Sequence, residues 1–269
     1  MNIRLAAYLD EIDDDPDKAG QLLTSKHIQG VCIRRAWCRD ISSMPDNAIG
    51  ILSTILTKHQ LIPVLLHTEI GCVSPEKLID EEPKLIRAMQ ICKFLKCKSL
   101  RIGFGQSTTS NAIEQINRWL TTSSSLSISY DLSLILEPTF DCYHNQPASI
   151  AILFNKFKRI NLLYDPALLI ARSKINPFIK FWSLLKSRVS FIDIHDFKTG
   201  NSAKPAGYGD AQLDILIADA IACNFSGWFC LEPNLGRRYG NFTTKKDTFL
   251  YAFDAFEALL QRIQLPKIL

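Results

Sequence analysis

The chain has 269 residues, 47% of them hydrophobic, and its 31 Lys+Arg against 27 Asp+Glu leave a formal net charge of +4. This is enough apolar material for one sizeable core, so a single domain spanning residues 1–269 is expected. The charge is too mild for a nucleic-acid partner, which calls for a basic stripe, and no apolar run approaches the ~18 residues of a membrane span.

The opening MNIRLAAYLDEIDDD has no basic segment leading into a sustained apolar one, so it does not read as a signal peptide. Ile3–Leu9 within it is the first candidate strand, and the Asp-rich stretch that follows suits the start of a helix over Pro16–Lys26. Ile28–Arg35 is the second strand. Asp46–Lys58 then spaces Ile49, Leu52, Ile55 and Leu56 at a helical period. Leu61–His67 is the third strand. In the helical stretch Glu76–Leu95, Pro83 marks a break or the first turn of a second helix. Ser99–Phe104 precedes a helix over Asn111–Leu120, and the Ser/Thr-rich Thr121–Ser127 reads as a surface loop. The last four strands are Leu132–Glu137, Ile160–Asp165, Val189–His195 and Gly227–Glu232. Helices over Gln146–Phe157, Asn176–Lys186, Ala211–Cys223 and Thr244–Ile263 follow them in turn, with Asp210 as N-cap of the third.

Eight strand–helix alternations give a repeat of roughly 33 residues, the size of a βα unit. Strands apolar on both faces suit a parallel sheet covered by helices. A closed (β/α)8 TIM barrel is the simplest architecture that satisfies both. A doubly wound open sheet is the rival, but no G-x-G-x-x-G follows the first strand. The eight cysteines (Cys32, Cys38, Cys72, Cys92, Cys97, Cys142, Cys223 and Cys230) contain no C-x-x-C pair, so a zinc ribbon is not indicated. They read as free thiols of a protein in a reducing, cytoplasmic compartment.

Four acids close four separate apolar runs: Glu137 in LSLILEPTF, Asp165 in INLLYDPALL, Asp193 in VSFIDIHDF and Glu232 in GWFCLEPNL. In a (β/α)8 barrel, functional residues sit at the C-terminal ends of strands. His195, two residues beyond Asp193, faces the same side of its strand. Several carboxylates at one point raise one another's pKa unless a cation joins them. Oxygen ligands with at most one imidazole suit a hard divalent ion, so Glu137, Asp165, Asp193, His195 and Glu232 are the candidate metal ligands. Mn2+ or Mg2+ is favoured, with Co2+ or Zn2+ also compatible. Lys198 and Lys204, Arg35 and Arg101, and Arg237 are candidate substrate-binding cations, since a charge near such a site needs a partner there.

The segments LILEP, LLYDPALL, FIDIHDF, KPAGYGDAQLD and GWFCLEPNL, in that order and spacing, resemble the xylose-isomerase-like TIM-barrel superfamily of sugar phosphate isomerases and epimerases. The resemblance covers about residues 130–235; the first half shares only the strand rhythm. It implies a metal held by a fifth-strand Glu, a sixth-strand Asp, a seventh-strand His and an eighth-strand Glu, which fall on Glu137, Asp165, a seventh-strand residue and Glu232. The chain departs from the family at three places. Where relatives read H-x-K-D it has Asp193-Ile194-His195-Asp196, so Asp193 takes the ligand place by alignment and His195 remains an alternative. It has Leu168 where many relatives carry His or Asn, and Asn234 where many carry His.

The resemblance implies a divalent-metal-dependent isomerase or epimerase of a sugar, sugar phosphate or keto-polyol, in carbohydrate metabolism. Glu137 and Glu232 would exchange a proton next to a carbonyl as catalytic base and acid. An inosose-dehydratase-like lyase would use the same abstraction. A multi-zinc phosphodiesterase on this barrel needs several His ligands, and the chain has five His in all. The non-enzyme alternative, which Leu168 and Asp193 favour, is a metal-free barrel that binds a sugar or a protein partner. The expected partner is a small sugar or polyol, with no nucleic acid and no membrane; a homo-oligomer is compatible with the sequence.

Overall fold

The computed structural model describes residues 3–106, 112–138, 147–173, 178–200, 202–235 and 242–264. Eight parallel strands close into a barrel: β1 Leu5–Tyr8, β2 Gly30–Ile33, β3 Ile62–His67, β4 Ser99–Ile102, β5 Ser133–Leu136, β6 Ile160–Tyr164, β7 Val189–Ile194 and β8 Trp228–Leu231. Each strand pairs with its neighbours in sequence, and β8 closes on β1 through Leu5–Phe229, Ala6–Cys230 and Ala7–Leu231. Helices alternate with the strands: α1 Pro16–Ser25, α2 Asp46–Lys58, α3 Glu82–Phe94, α4 Ile113–Tyr130, α5 Pro147–Lys156, α6 Pro166–Ser173, α7 Leu213–Ala222 and α8 Lys245–Gln264. This is the (β/α)8 architecture expected from the repeat; the open doubly wound sheet is excluded by the closure of β8 on β1. No helix among the described residues is long and apolar enough to cross a membrane.

Strand side chains alternate between two environments, because successive Cβ atoms point to opposite faces. One set fills the barrel: Ala6, Tyr8, Cys32, Val64, Leu65, Ile135, Leu163, Phe191 and Cys230. The other set, including Ala7, Val31, Ile33, Leu66, Leu134, Leu162, Ile192 and Phe229, packs outward against the helices. Trp228 plugs the N-terminal end of the barrel. A Cβ on Gly30 would lie 2.6 Å from its ring, so only glycine fits opposite it. Arg4 stacks on the same ring at 4.1 Å.

Two local expectations are corrected. Thr121–Ser127 is not a loop: α4 runs through it to Tyr130 and ends at Asp131, which adopts left-handed φ of 55°. Burial of Ile116, Trp119, Leu120, Ser123 and Ser127 on one face explains the helix, since tertiary packing outweighs the weak propensity of serine. Nor does Asp210 cap a helix. α7 begins later, at Leu213 after a left-handed Gln212, and the Asp210 carboxylate instead meets Lys198 Nζ at 2.6 Å and the Thr199 amide at 2.9 Å.

Candidate active site

The site follows from the two-residue period. Extending each inward column past the apolar layer leads from Ile135 to Glu137, from Leu163 to Asp165, from Phe191 to Asp193 and His195, and from Cys230 to Glu232. The same step leads from Leu65 to His67 and from Cys32 to Arg34. Period and barrel closure therefore bring acids from β5 to β8 to one end of the barrel, the C-terminal end.

One ligand atom each of Asp165, His195 and Glu232 lie within 4.8 Å of one another, and so do one each of Glu137, Asp165 and Asp193. Asp165 belongs to both groups. It also caps α6, its Oδ1 accepting from the Leu168 amide at 2.8 Å. The same oxygen lies 3.0 Å from His195 Nε2, close enough for an ion pair but not aligned as a hydrogen bond. Asp193 is wholly buried; its Oδ1 accepts from Tyr8 Oη at 3.3 Å, while Oδ2 is buried with no partner among the described residues. The Tyr8 hydroxyl also lies 3.0 Å from His67 Nδ1.

Two arginines enter the cluster from the opposite half of the barrel. Arg101, on β4, is 3% exposed and donates through Nε (3.1 Å) and Nη2 (2.8 Å) to Oε2 of Glu137. Its Nη1 donates to the Thr68 carbonyl at 2.6 Å. Arg34, just past β2, donates to Glu232 Oε1, to Asp10 Oδ2 (3.0 Å) and to Glu11 Oε1 (2.9 Å), and lies 5.0 Å over the Tyr8 ring. Glu137 and Glu232 thus already have cationic partners. Asp165 lies against His195, and Asp193 has the Tyr8 hydroxyl as a donor and no cation beside it among the described residues.

Titration reflects this. Burial, then the charges of Glu232, Asp165 and Glu137, hold the Asp193 carboxyl well above the usual range. Burial lifts Glu232 to about 7 against the opposing pull of Arg34 and His195. Burial acts to lower His195, but Asp165 overrides it and lifts the imidazole to about 9. Burial and Arg101 lower His67. The orphaned Asp193 Oδ2, the misaligned His195 and an oxygen-rich donor set with one imidazole fit a divalent ion.

The other candidates are placed differently. Arg35 is exposed on a two-residue ribbon with Asp40; Arg34 enters the site in its place. Lys198 is exposed and paired with Asp210. Lys204 lies on the ribbon opposite Asp196. Arg237 lies outside the described residues, as does Cys142; the remaining cysteines are free thiols. Asp196, beside the site, accepts the amides of Phe197, Gly207, Gly209 and Ala211 at 2.8–3.1 Å and so folds the PAGYGD tract around itself. Tyr8, Arg34 and His67 were absent from the sequence-derived candidates. The signal for Arg34 and His67 was their even spacing from the inward residues Cys32 and Leu65.

No family model matches the sequence, and no curated protein matches it. Solved structures match it in shape. A xylose isomerase-like TIM barrel protein from Mycobacterium smegmatis in complex with magnesium aligns at TM-score 0.68 and 13% identity, over 96% of this chain and 98% of that one. The IOLI protein with a zinc atom aligns at TM-score 0.74 and 16% identity, over 97% and 99%. D-allulose 3-epimerase from Methylomonas sp. in complex with D-allulose aligns at TM-score 0.74 and 11% identity, over 97% of each chain. At these identities the likeness is one of fold: the chain is a (β/α)8 barrel similar in shape to xylose isomerase-like TIM barrel proteins.

Proposed function

We propose that this chain is a divalent-metal-dependent isomerase or epimerase of a sugar or keto-polyol, moving a proton on a carbon next to a carbonyl. The observation that carries the reading is the pair of overlapping donor groups that share Asp165. Asp165, His195 and Glu232 would hold the ion, with Glu137 and Asp193 the further donors on the other side of Asp165. When bound, a divalent ion there supplies Lewis-acid polarisation of a substrate carbonyl. Like-fold proteins with magnesium, zinc and D-allulose support the class of ligand, though fold alone names no substrate.

The chain's own residues supply the proton chemistry. Glu137 and Glu232 come from strands three positions apart, so they approach a bound substrate from different sides. One carboxylate would take the proton and the other return it. Arg101 and Arg34 keep Glu137 and Glu232 from swinging away. The test is metal analysis of protein purified without chelator, followed by incubation with ketoses in D2O. One Mn2+-like ion per chain, bound markedly more weakly in Glu232→Gln, and deuterium incorporated next to the carbonyl are expected. A site that refuses Mn2+ at millimolar concentration would instead indicate a metal-free binding barrel, and loss of water from a keto-inositol a lyase.

A further inference from the structure

Each site glutamate is held by an arginine in the same manner. Arg101 places two N–H groups on the single oxygen Oε2 of Glu137, and Arg34 places Nη1 on the single oxygen Oε1 of Glu232. The other donors of each guanidinium are anchored away from the glutamate. Arg101 Nη1 is fixed by the Thr68 carbonyl at 2.6 Å and Cys72 Sγ at 3.1 Å. Arg34 is fixed by Asp10 and Glu11 on the turn after β1 and by the Tyr8 ring beneath it. A guanidinium tied at several points is a rigid fork, and a lysine ammonium in its place is a mobile point charge.

We infer that Arg34 is a positioning residue acting through Glu232, and Arg101 its counterpart for Glu137. Each guanidinium fixes one carboxylate oxygen and thereby the direction of the other. The inference rests on the metal-dependent reading of the site. It makes Asp10 and Glu11 part of the site's support, because they hold Arg34 in place. It also differs in sign from a purely electrostatic role. Deleting a positive charge beside a cation site strengthens cation binding by Coulomb attraction, whereas loss of a carboxylate's support weakens metal affinity by about 10–100-fold.

The deciding experiment titrates the full chain with Mn2+, read by electron paramagnetic resonance, in wild type, Arg34→Gln, Arg34→Lys, Glu232→Gln and the Arg34→Gln/Glu232→Gln double variant. Thermal melting checks that each is folded. The expected result is about 10–100-fold weaker Mn2+ binding in Arg34→Gln. Arg34→Lys, which keeps the charge and loses the fork, is also expected to bind more weakly. Arg34→Gln should add no further loss in the Glu232→Gln background. Tighter binding in Arg34→Gln, wild-type affinity in Arg34→Lys, or additive losses in the double variant would each overturn the inference and leave the metal reading standing. If the wild type binds no Mn2+, the metal reading falls by itself. The inference is then decided by the metal-free crystal structure of Arg34→Gln, or of Arg34→Lys if the first variant does not fold. A turned Glu232 carboxylate upholds it, and an unmoved one refutes it.

Discussion

Arg101→Met is the sharpest test of how the site is built into the barrel. The methionine keeps the length of the stem and removes the guanidinium, which is 3% exposed. Four hydrogen bonds go with it: two to Glu137 Oε2 at 3.1 and 2.8 Å, one to the Thr68 carbonyl at 2.6 Å and one to Cys72 Sγ at 3.1 Å. Breaking a buried ion pair from one side costs about 3–5 kcal/mol, because the partner charge stays in the low-dielectric interior. In a chain of this size, about 1 kcal/mol moves the melting temperature by about 2 °C, so a fall of roughly 6–10 °C is expected. Removing Glu137's charge as well should restore part of it. The Arg101→Met/Glu137→Gln double variant should be less destabilised than the sum of the singles by about 2 kcal/mol. Melting followed by circular dichroism measures all three variants. A single-variant shift under 2 °C, or strict additivity, would show that the Arg101–Glu137 pair is not an energetic unit.

Further outcomes follow from the same geometry. Because His195 titrates at about 9 beside Asp165, Mn2+ must displace its proton; affinity measured by calorimetry should rise about tenfold per pH unit between 7 and 9, and a flat profile would remove His195 as a ligand. The metal-free protein should lose stability as pH rises from 5 to 9. His195 is raised from 6.5 to about 9, so its contribution is complete below about 6.5 and lost as pH passes 9. Glu232 is raised from 4.5 to about 7, so its ionisation costs stability from about 4.5 upward and in full above 7. Each group accounts for about 3 kcal/mol at most, and denaturant melts that strengthen toward pH 9 would contradict both. Asp196→Ala should cost about 2–4 kcal/mol through four orphaned amides, and Gly209→Ala should loosen the same loop, since its Cβ would fall 2.2 Å from Asp196 Oδ1; proteolysis of the 197–210 segment at the wild-type rate in both variants would argue otherwise. Finally, a protonated-carboxyl infrared band that disappears between pH 6 and 8 should be lost in Glu232→Gln, and its persistence there would assign the titrating group elsewhere.

The barrel was legible because its signal is redundant: eight apolar runs at a steady spacing leave few ways to bury them, and β5 to β8 each have an acid at or just past their C-terminal end, in an otherwise apolar column. Arg34 was harder to find for a specific reason. In Gly-Val-Cys-Ile-Arg-Arg both faces of β2 are apolar, so the run does not say which parity points inward. The structure resolves it: small Gly30 and Cys32 face the crowded barrel axis, while the branched Val31 and Ile33 face the helices. Arg34 shares the parity of Cys32 and enters the site; Arg35 shares that of Ile33 and is exposed. Similarly, the helix through Thr121–Ser127 was hidden because serine composition outweighed the buried face of Ile116, Trp119, Leu120, Ser123 and Ser127.

The two clamped glutamates are not equivalent, and the difference lies in how each arginine spends its charge. Arg101's other donors meet a carbonyl and a thiol, so most of its charge faces Glu137, and among the described residues the largely exposed Glu69 at 3.6 Å shares it. Arg34 divides its charge among Glu232, Asp10 and Glu11. Arg34, shared among three carboxylates, and His195 together do not offset the burial of Glu232, and its carboxyl therefore rests at about 7. The barrel thus sets two glutamates of the same chemistry around one cluster, one backed by nearly a full positive charge and one by a shared one.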